Sequence, residues 1–184
     1  VPYLGLFAAL EHAVALFYAD QDAACLELLA VHVVAARGSA RLEALMRMFQ
    51  AMIALDRGDA AGAEALARGV HGSPVAAAIR AAAAGVRVRA LARLGRVDEA
   101  LVLAEEALAL AAIAQPDVFD DVAVIAVAEL RLATGDEARA RALVADAWAA
   151  VEALPQAPES RAQYRQRRIV RDLAALARRF GLAA

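Results

Sequence analysis

Residues 90–112 run ALARLGRVDEALVLAEEALALAA. They read as the end of one helix, a tight turn at Leu94-Gly95-Arg96, and a second helix that runs back, with Asp98 and Glu99 at its positive end. The layout recurs. With Asp20, Gly58, Gly95 and Gly135 set in register, the turns are spaced by about 37–40 residues, inside the range of helical-repeat arrays. Five residues after each turn stand Cys25, Ala63, Ala100 and Ala140, all small, and eight after stand Leu28, Leu66, Leu103 and Leu143. Twelve after stand His32, Val70, Ala107 and Ala147, and seven before stand Ala13, Ala51, Val88 and Ala128. Small residues on facing helices let the backbones approach, and the leucine is expected to plug the groove one turn further on. One such hairpin cannot bury its apolar face alone, so hairpins must stack.

Composition points the same way. Roughly three in ten of the 184 residues are alanine, the best intrinsic helix former, and Gly and Pro fall mostly between periodic stretches, with Gly62 and Gly85 as exceptions. The class is all-α, with a core that fits one domain or one solenoid segment. The longest uncharged run is about a dozen residues, short of the roughly 18–20 that a spanning helix needs. Tyr3–Ala19 comes nearest, but Glu11 and His12 interrupt it and it lacks a basic leader, which argues against a signal peptide. All 20 Lys+Arg positions are Arg, as expected of a GC-rich bacterial gene, and the net charge of −2 gives no global pull toward nucleic acid or anionic lipid. Cys25 is the sole cysteine, so no disulfide framework exists and a reducing, cytoplasmic setting is expected. The chain opens on Val1, which reads as a piece of a larger protein.

Nine helices follow in order, as hairpins at about 3–37, 39–72, 73–114 and 116–154 and a capping helix at 159–181. Short turns between them predict antiparallel neighbours. Helix one is placed at Tyr3–Ala19 and helix two at Asp22–Arg37; Ser39 and Asp59 are expected N-caps of helices three and four. Ser73-Pro74 reads as the start of helix five, an N-cap with Pro at the first helical position. Gly85 inside that helix costs about 1 kcal/mol against Ala. Gln115-Pro116-Asp117 starts helix seven, Pro155–Pro158 links helix eight to helix nine, and Gly181 closes the last helix.

The turn-plus-helix segments GRVDEALVLAEEAL (95–108) and GDEARARALVADAW (135–148), with Ala100 and Ala140 at the small position, resemble the tetratricopeptide repeat (TPR) family. The likeness is good in repeats three and four, fair in two and weak in one. Eight residues before the turns, where the family has a large apolar residue, this chain has His12, Gln50, Arg87 and Val127, so the repeats are degenerate, of the kind found in bacterial regulators. The resemblance implies a right-handed α-solenoid of about four antiparallel helix pairs, with the first helix of each pair lining a concave groove. Carried over by register, the groove residues are Phe17 and Tyr18, Met48 and Met52, Arg89 and Arg93, and Glu129. The alternatives are an Ala-rich bundle that imitates the repeat, and Met48 and Met52 as plain core.

Chemistry is scarce. His12, His32 and His71 lack a partner at metal-ligand spacing, so no metal or other cofactor is expected. Cys25 falls at the small interhelical position and reads as a buried, inert thiol. Ser39, Ser73 and Ser160 look like caps, and the pairs Glu105-Glu106 and Asp120-Asp121 point about 100° apart on a helix. No catalytic residue is expected, and the chain is read as no enzyme. Arg161, Arg165, Arg168 and Arg171 follow one another at helical steps and form a candidate basic patch; a polar-faced terminal cap is the favoured reading over a nucleic-acid or acidic partner. The expected function is a non-catalytic scaffold binding a protein or peptide partner in the groove, with no membrane role. The alternative is a ligand-sensing or regulatory domain of a bacterial transcription activator or signalling ATPase. Self-association through Phe7, Leu10 and Phe17 of the apolar first hairpin is a further expectation, with an absent upstream helix as the rival explanation.

Overall fold

The computed structural model describes residues 2–114, 120–153 and 167–183. They form α1 (Pro2–Tyr18), α2 (Asp22–His32), a 3-10 turn (Ala35–Gly38), α3 (Ala40–Asp56), α4 (Ala60–His71), α5 (Ala77–Arg93), α6 (Val97–Ile113), α7 (Asp120–Ala133), α8 (Glu137–Ala153) and α9 (Arg168–Arg179). The chain is all-α, with no strand among the described residues. No described helix is long and apolar enough to cross a membrane.

The four turns close alike. Asp20 (φ 56°), Gly58 (87°), Gly95 (76°) and Gly135 (86°) all take the left-handed backbone that ends a helix. In each, the next amide reaches back over the last turn: Gln21 to the Leu16 carbonyl, Asp59 to Ala54, Arg96 to Leu91 and Asp136 to Arg131, at 2.8–2.9 Å. This is the Schellman closure, which satisfies carbonyls the helix leaves unpaired. Gly181 (φ 68°) ends α9 the same way, with Leu182 donating to Ala177.

The repeat positions are core positions. Ala13, Ala51, Val88 and Ala128, seven before the turns, and Cys25, Ala63, Ala100 and Ala140, five after, are all 0% exposed. The Cys25 thiol donates to the Ala13 carbonyl at 3.4 Å, which ties the two positions of the first hairpin together. Of the leucines eight after each turn, Leu103 is buried as expected and the other three are not. Leu28, Leu66 and Leu143 are half-buried flanks, while the next residues, Leu29, Ala67, Ala104 and Val144, are no more than 1% exposed. The reason is helical geometry: the residue four beyond the small position shares its face.

Several boundaries differ from expectation. Helix two stops at His32, and the Ala35–Gly38 turn carries the chain to Ser39, which caps α3 by accepting from the Leu42 amide. Asp59 caps α4 through the Gly62 amide at 2.8 Å. Ser73 caps nothing ahead of it: its hydroxyl donates back to the Val70 carbonyl at 2.6 Å and closes α4, so α5 begins only at Ala77. The expected start at Gln115-Pro116-Asp117, the Pro155–Pro158 link and the first turns of helix nine lie outside the described residues.

Each helix packs on the next, and α1, α3, α5 and α7 also touch in succession, with no comparable contact among the even-numbered helices. Helix α5 is the hub, in contact with α3, α4, α6 and α7. Gly85 explains why. A Cβ placed there would lie 2.8 Å from Ala123 Cα and 2.9 Å from the Val122 carbonyl oxygen, so α5 and α7 cross backbone to backbone. The glycine that weakens α5 as a helix is what lets it pack.

Candidate functional site: a helix seated across four others

Helix α9 is strongly amphipathic. It buries Ile169, Val170, Leu173 and Ala177, with Phe180 just beyond its end, and these join the core cluster that holds Leu10, Phe17 and Met52. Its backbone packs on α8 and α7, and side chains of its first turns also reach α1, α3 and α5. Around Arg168, Ile169 and Asp172 gather Phe17 of α1, Met52, Leu55 and Asp56 of α3, Val86 and Arg89 of α5, and Val122 and Ile125 of α7.

Charge fixes the seat. The Arg168 guanidinium lies 2.7 Å from Asp22 Oδ1, 2.8 Å from Asp56 Oδ2 and 3.9 Å from Asp20 Oδ1, and stacks 4.9 Å from the Phe17 ring centroid. Burial alone would lower the Arg168 pKa, but the hydrogen bond to Asp22 and the charges of Asp56, Asp22 and Asp20 carry it upward. Arg171 takes both oxygens of Asp20 at 2.7 and 2.8 Å, and Arg167 lies 5.3 Å over the Tyr18 ring. On the next turn Asp172 comes within 3.8 Å of Arg89, which already faces Glu129 at 2.7 Å. Burial pushes both carboxyls, Asp172 and Glu129, above the usual carboxylate range against the pull of Arg89.

These pairings resolve two local conflicts. Helix α3 ends on Asp56, with no basic residue in its last turn, so a carboxylate sits at the negative end of the helix dipole. Helix α9 starts with Arg167, Arg168 and Arg171, has no acidic residue in its first turn, and has no side-chain N-cap, so cations sit at a positive end. Each end is unfavourable alone and satisfied by the other. Asp20 is the one turn residue of the four that is not glycine; its carboxylate is what receives Arg171.

No protein-family model, no curated protein and no solved structure matches this chain.

Its own geometry therefore has to place the residues singled out from sequence. Phe17 and Met48 are fully enclosed and Met52 nearly so, which makes all three core and not open groove wall, with Phe17 and Met52 lying against α9. Tyr18 is half-buried against Phe17. Arg89 and Glu129 pair with each other, and Arg93 donates to the Leu55 carbonyl at the end of α3. Arg168 and Arg171 do not form an open basic patch, because Asp20, Asp22 and Asp56 neutralise them; Arg161 and Arg165 lie outside the described residues. Leu10 and Phe17 are buried within the chain and cannot carry self-association, while Phe7 is half exposed. The acidic receptor of Asp20, Asp22 and Asp56 was missed from sequence, where Asp20 reads as a turn residue and Asp22 as the start of helix two. The signal for it was Asp56 at the wrong end of its helix.

A second polar cluster lies between α4, α5 and α6. His71 Nδ1 is 2.9 Å from Arg87 and Nε2 is 3.2 Å from Glu106, while Glu64, buried in α4, pairs with Arg68 at 2.8 Å and Arg87 at 3.3 Å. Burial holds the His71 pKa below its ordinary value; Glu106 opposes, and Arg87 and Arg80 add to the depression. The Cys25 thiol is pushed up to about 11, first by burial and then by Asp22, so it stays protonated and unreactive at neutral pH.

Proposed function

We propose that the chain is a non-catalytic, TPR-like module that recognises an amphipathic helix on the surface made by α1, α3, α5 and α7. One observation carries this: that surface already holds a helix, α9, by an apolar stripe and by arginines set into Asp20, Asp22 and Asp56. The repeated turns, the small buried positions on either side of them, and the succession of contacts among odd-numbered helices support a solenoid of four antiparallel pairs with that surface on its concave side. The second reading, a regulatory domain of a bacterial activator or signalling ATPase in the cytoplasm, draws on the same observation, since a recognition surface filled by the chain's own helix is suited to being regulated.

Selection of helical peptides from a display library on the immobilised full chain tests the proposal. Binders are expected to carry arginine beside an apolar stripe. Their capture is expected to be lost in the Asp22→Asn/Asp56→Asn double variant, which removes the carboxylates that receive the arginine, while the helical CD spectrum is kept. Failure to select any helical peptide, or equal capture by chain and variant, would overturn it.

A further inference from the structure

We infer that α9 is an internal stand-in for a partner helix of the same chemistry: an arginine in its first turn, set between Asp22 and Asp56, followed by an apolar stripe, with no carboxylate where α9 has Asp172. This rests on the helix-binding reading above and adds to it the kind of partner and the way the surface is kept closed.

Three features of the seat point to an occupant that fits adequately but not best. Asp172 brings a second carboxylate to Arg89, which Glu129 already satisfies, and it does so in a half-buried place. A neutral residue there would remove that conflict. Beside Ile169 a small cavity of about 20 Å³ remains among Phe17, Met52, Leu55, Val86, Val122 and Ile125, edged by the charged Asp56, Arg89, Arg168 and Asp172. Finally, α9 is only 12 residues long and carries arginines where a helix prefers acids, so it holds its helix through docking. A ligand in the same chain needs no high affinity, because intramolecular docking proceeds at an effective concentration on the order of millimolar. A free partner with a better fit can therefore compete.

The matching charges set the specificity. Asp20, Asp22 and Asp56 come from the first turn, the start of α2 and the end of α3, and converge on one guanidinium. A helix with an acidic first turn would be repelled there.

The test uses the full chain and a fluorescein-labelled peptide copying residues 167–183, RRIVRDLAALARRFGLA. Leu173→Asp in the chain alters only α9 and leaves the surface beneath it untouched. The peptide is expected to bind the L173D chain at least tenfold more tightly than the unaltered chain, and to bind neither when it carries Arg168→Glu. A peptide with Asp172→Asn is expected to bind the L173D chain about threefold or more tightly than the parent peptide. A folded L173D chain that does not take the peptide, or takes it no better than the unaltered chain, would overturn the inference. Arg168→Ala/Arg171→Ala, which removes no apolar anchor, covers the case in which L173D unfolds. Loss of the cooperative helical CD transition in both would make α9 an integral core element and would also overturn it. A dimer of the unaltered chain that grows with concentration and dissolves on adding the peptide would make a second copy the occupant and sink the foreign partner. If display-selected peptides still bind through Asp22 and Asp56 while the α9 peptide does not, the helix-binding function stands and only α9's role fails.

Discussion

The α5–α7 crossing and the seat of α9 solve the same problem, one helix on another, by opposite means. At the crossing there is almost no side chain at all: Gly85 meets Ala123 and Val122 backbone to backbone, flanked by Ala81, Ala84 and Ala126. At the seat, long charged side chains span the distance, with Arg168 and Arg171 reaching three carboxylates and two aromatic rings lying close by. Close apolar packing tolerates no adjustment, because a single methyl group has nowhere to go. Ion pairs at a half-exposed surface tolerate exchange, salt and competition. The first kind of contact builds a fixed frame. The second is suited to coming apart.

The largest break in that contrast is expected at the crossing. Gly85→Val should cost about 3 kcal/mol from overpacking. Even Gly85→Ala should destabilise, although Ala is favoured in a helix by about 1 kcal/mol. Urea denaturation followed by CD reads both; a stabilised G85A would mean the helices can part. Next comes Arg168→Ala, which leaves Asp20, Asp22 and Asp56 facing one another. The expected loss is about 2 kcal/mol, between the values for exposed and buried pairs. It should shrink in high salt, whereas the cost at Gly85 should not. Equal salt response of the two variants would erase the distinction.

Acidification should separate the two polar clusters by sign. His71 has a depressed folded pKa, so as the pH falls below about 6.5 the unfolded chain takes up the proton first and the cluster loses stability. Glu129 and Asp172 have raised folded values. The stability they contribute is full below their ordinary carboxylate range and is lost as the pH rises through the folded value, so the α9 seat is expected to tighten under mild acid. Urea midpoints between pH 7.5 and 5 should therefore slope less steeply in His71→Asn and more steeply in Asp172→Asn. Unchanged slopes in both would remove the opposition. The smallest effect is expected at the Arg96–Glu99 pair, where both side chains are exposed: Glu99→Ala should leave the midpoint where it is.

What could be read from the chain divides along the same line. The turns were legible because a helix can end in the left-handed backbone only where glycine, or a tolerant residue such as Asp20, stands, and the small positions were legible because close approach admits few residue types. The burial beside those leucines was harder to read, since Leu29, Ala67, Ala104 and Val144 share no one residue type and are marked only by standing four residues beyond the small position. Ser73-Pro74 had the form of a helix start, but a hydroxyl can bond backward as readily as forward. The seat of α9 lay furthest out of reach. Arg168 meets Asp22 across 146 residues of chain, and no local periodicity carries that information. Asp56, a carboxylate where a helix wants a cation, was the one local trace of it.

That long span has a consequence in time. Synthesis proceeds from the N-terminus at about 5–20 residues per second, so α1, α3, α5 and α7 are all made before α9 exists. From the last residue of α7 to the last of α9 is a matter of roughly 2–9 seconds at that pace. Until α9 is made and docks, the side chains it covers on α1, α3, α5 and α7 lie without it, and another helix of like chemistry has the first opportunity to reach them.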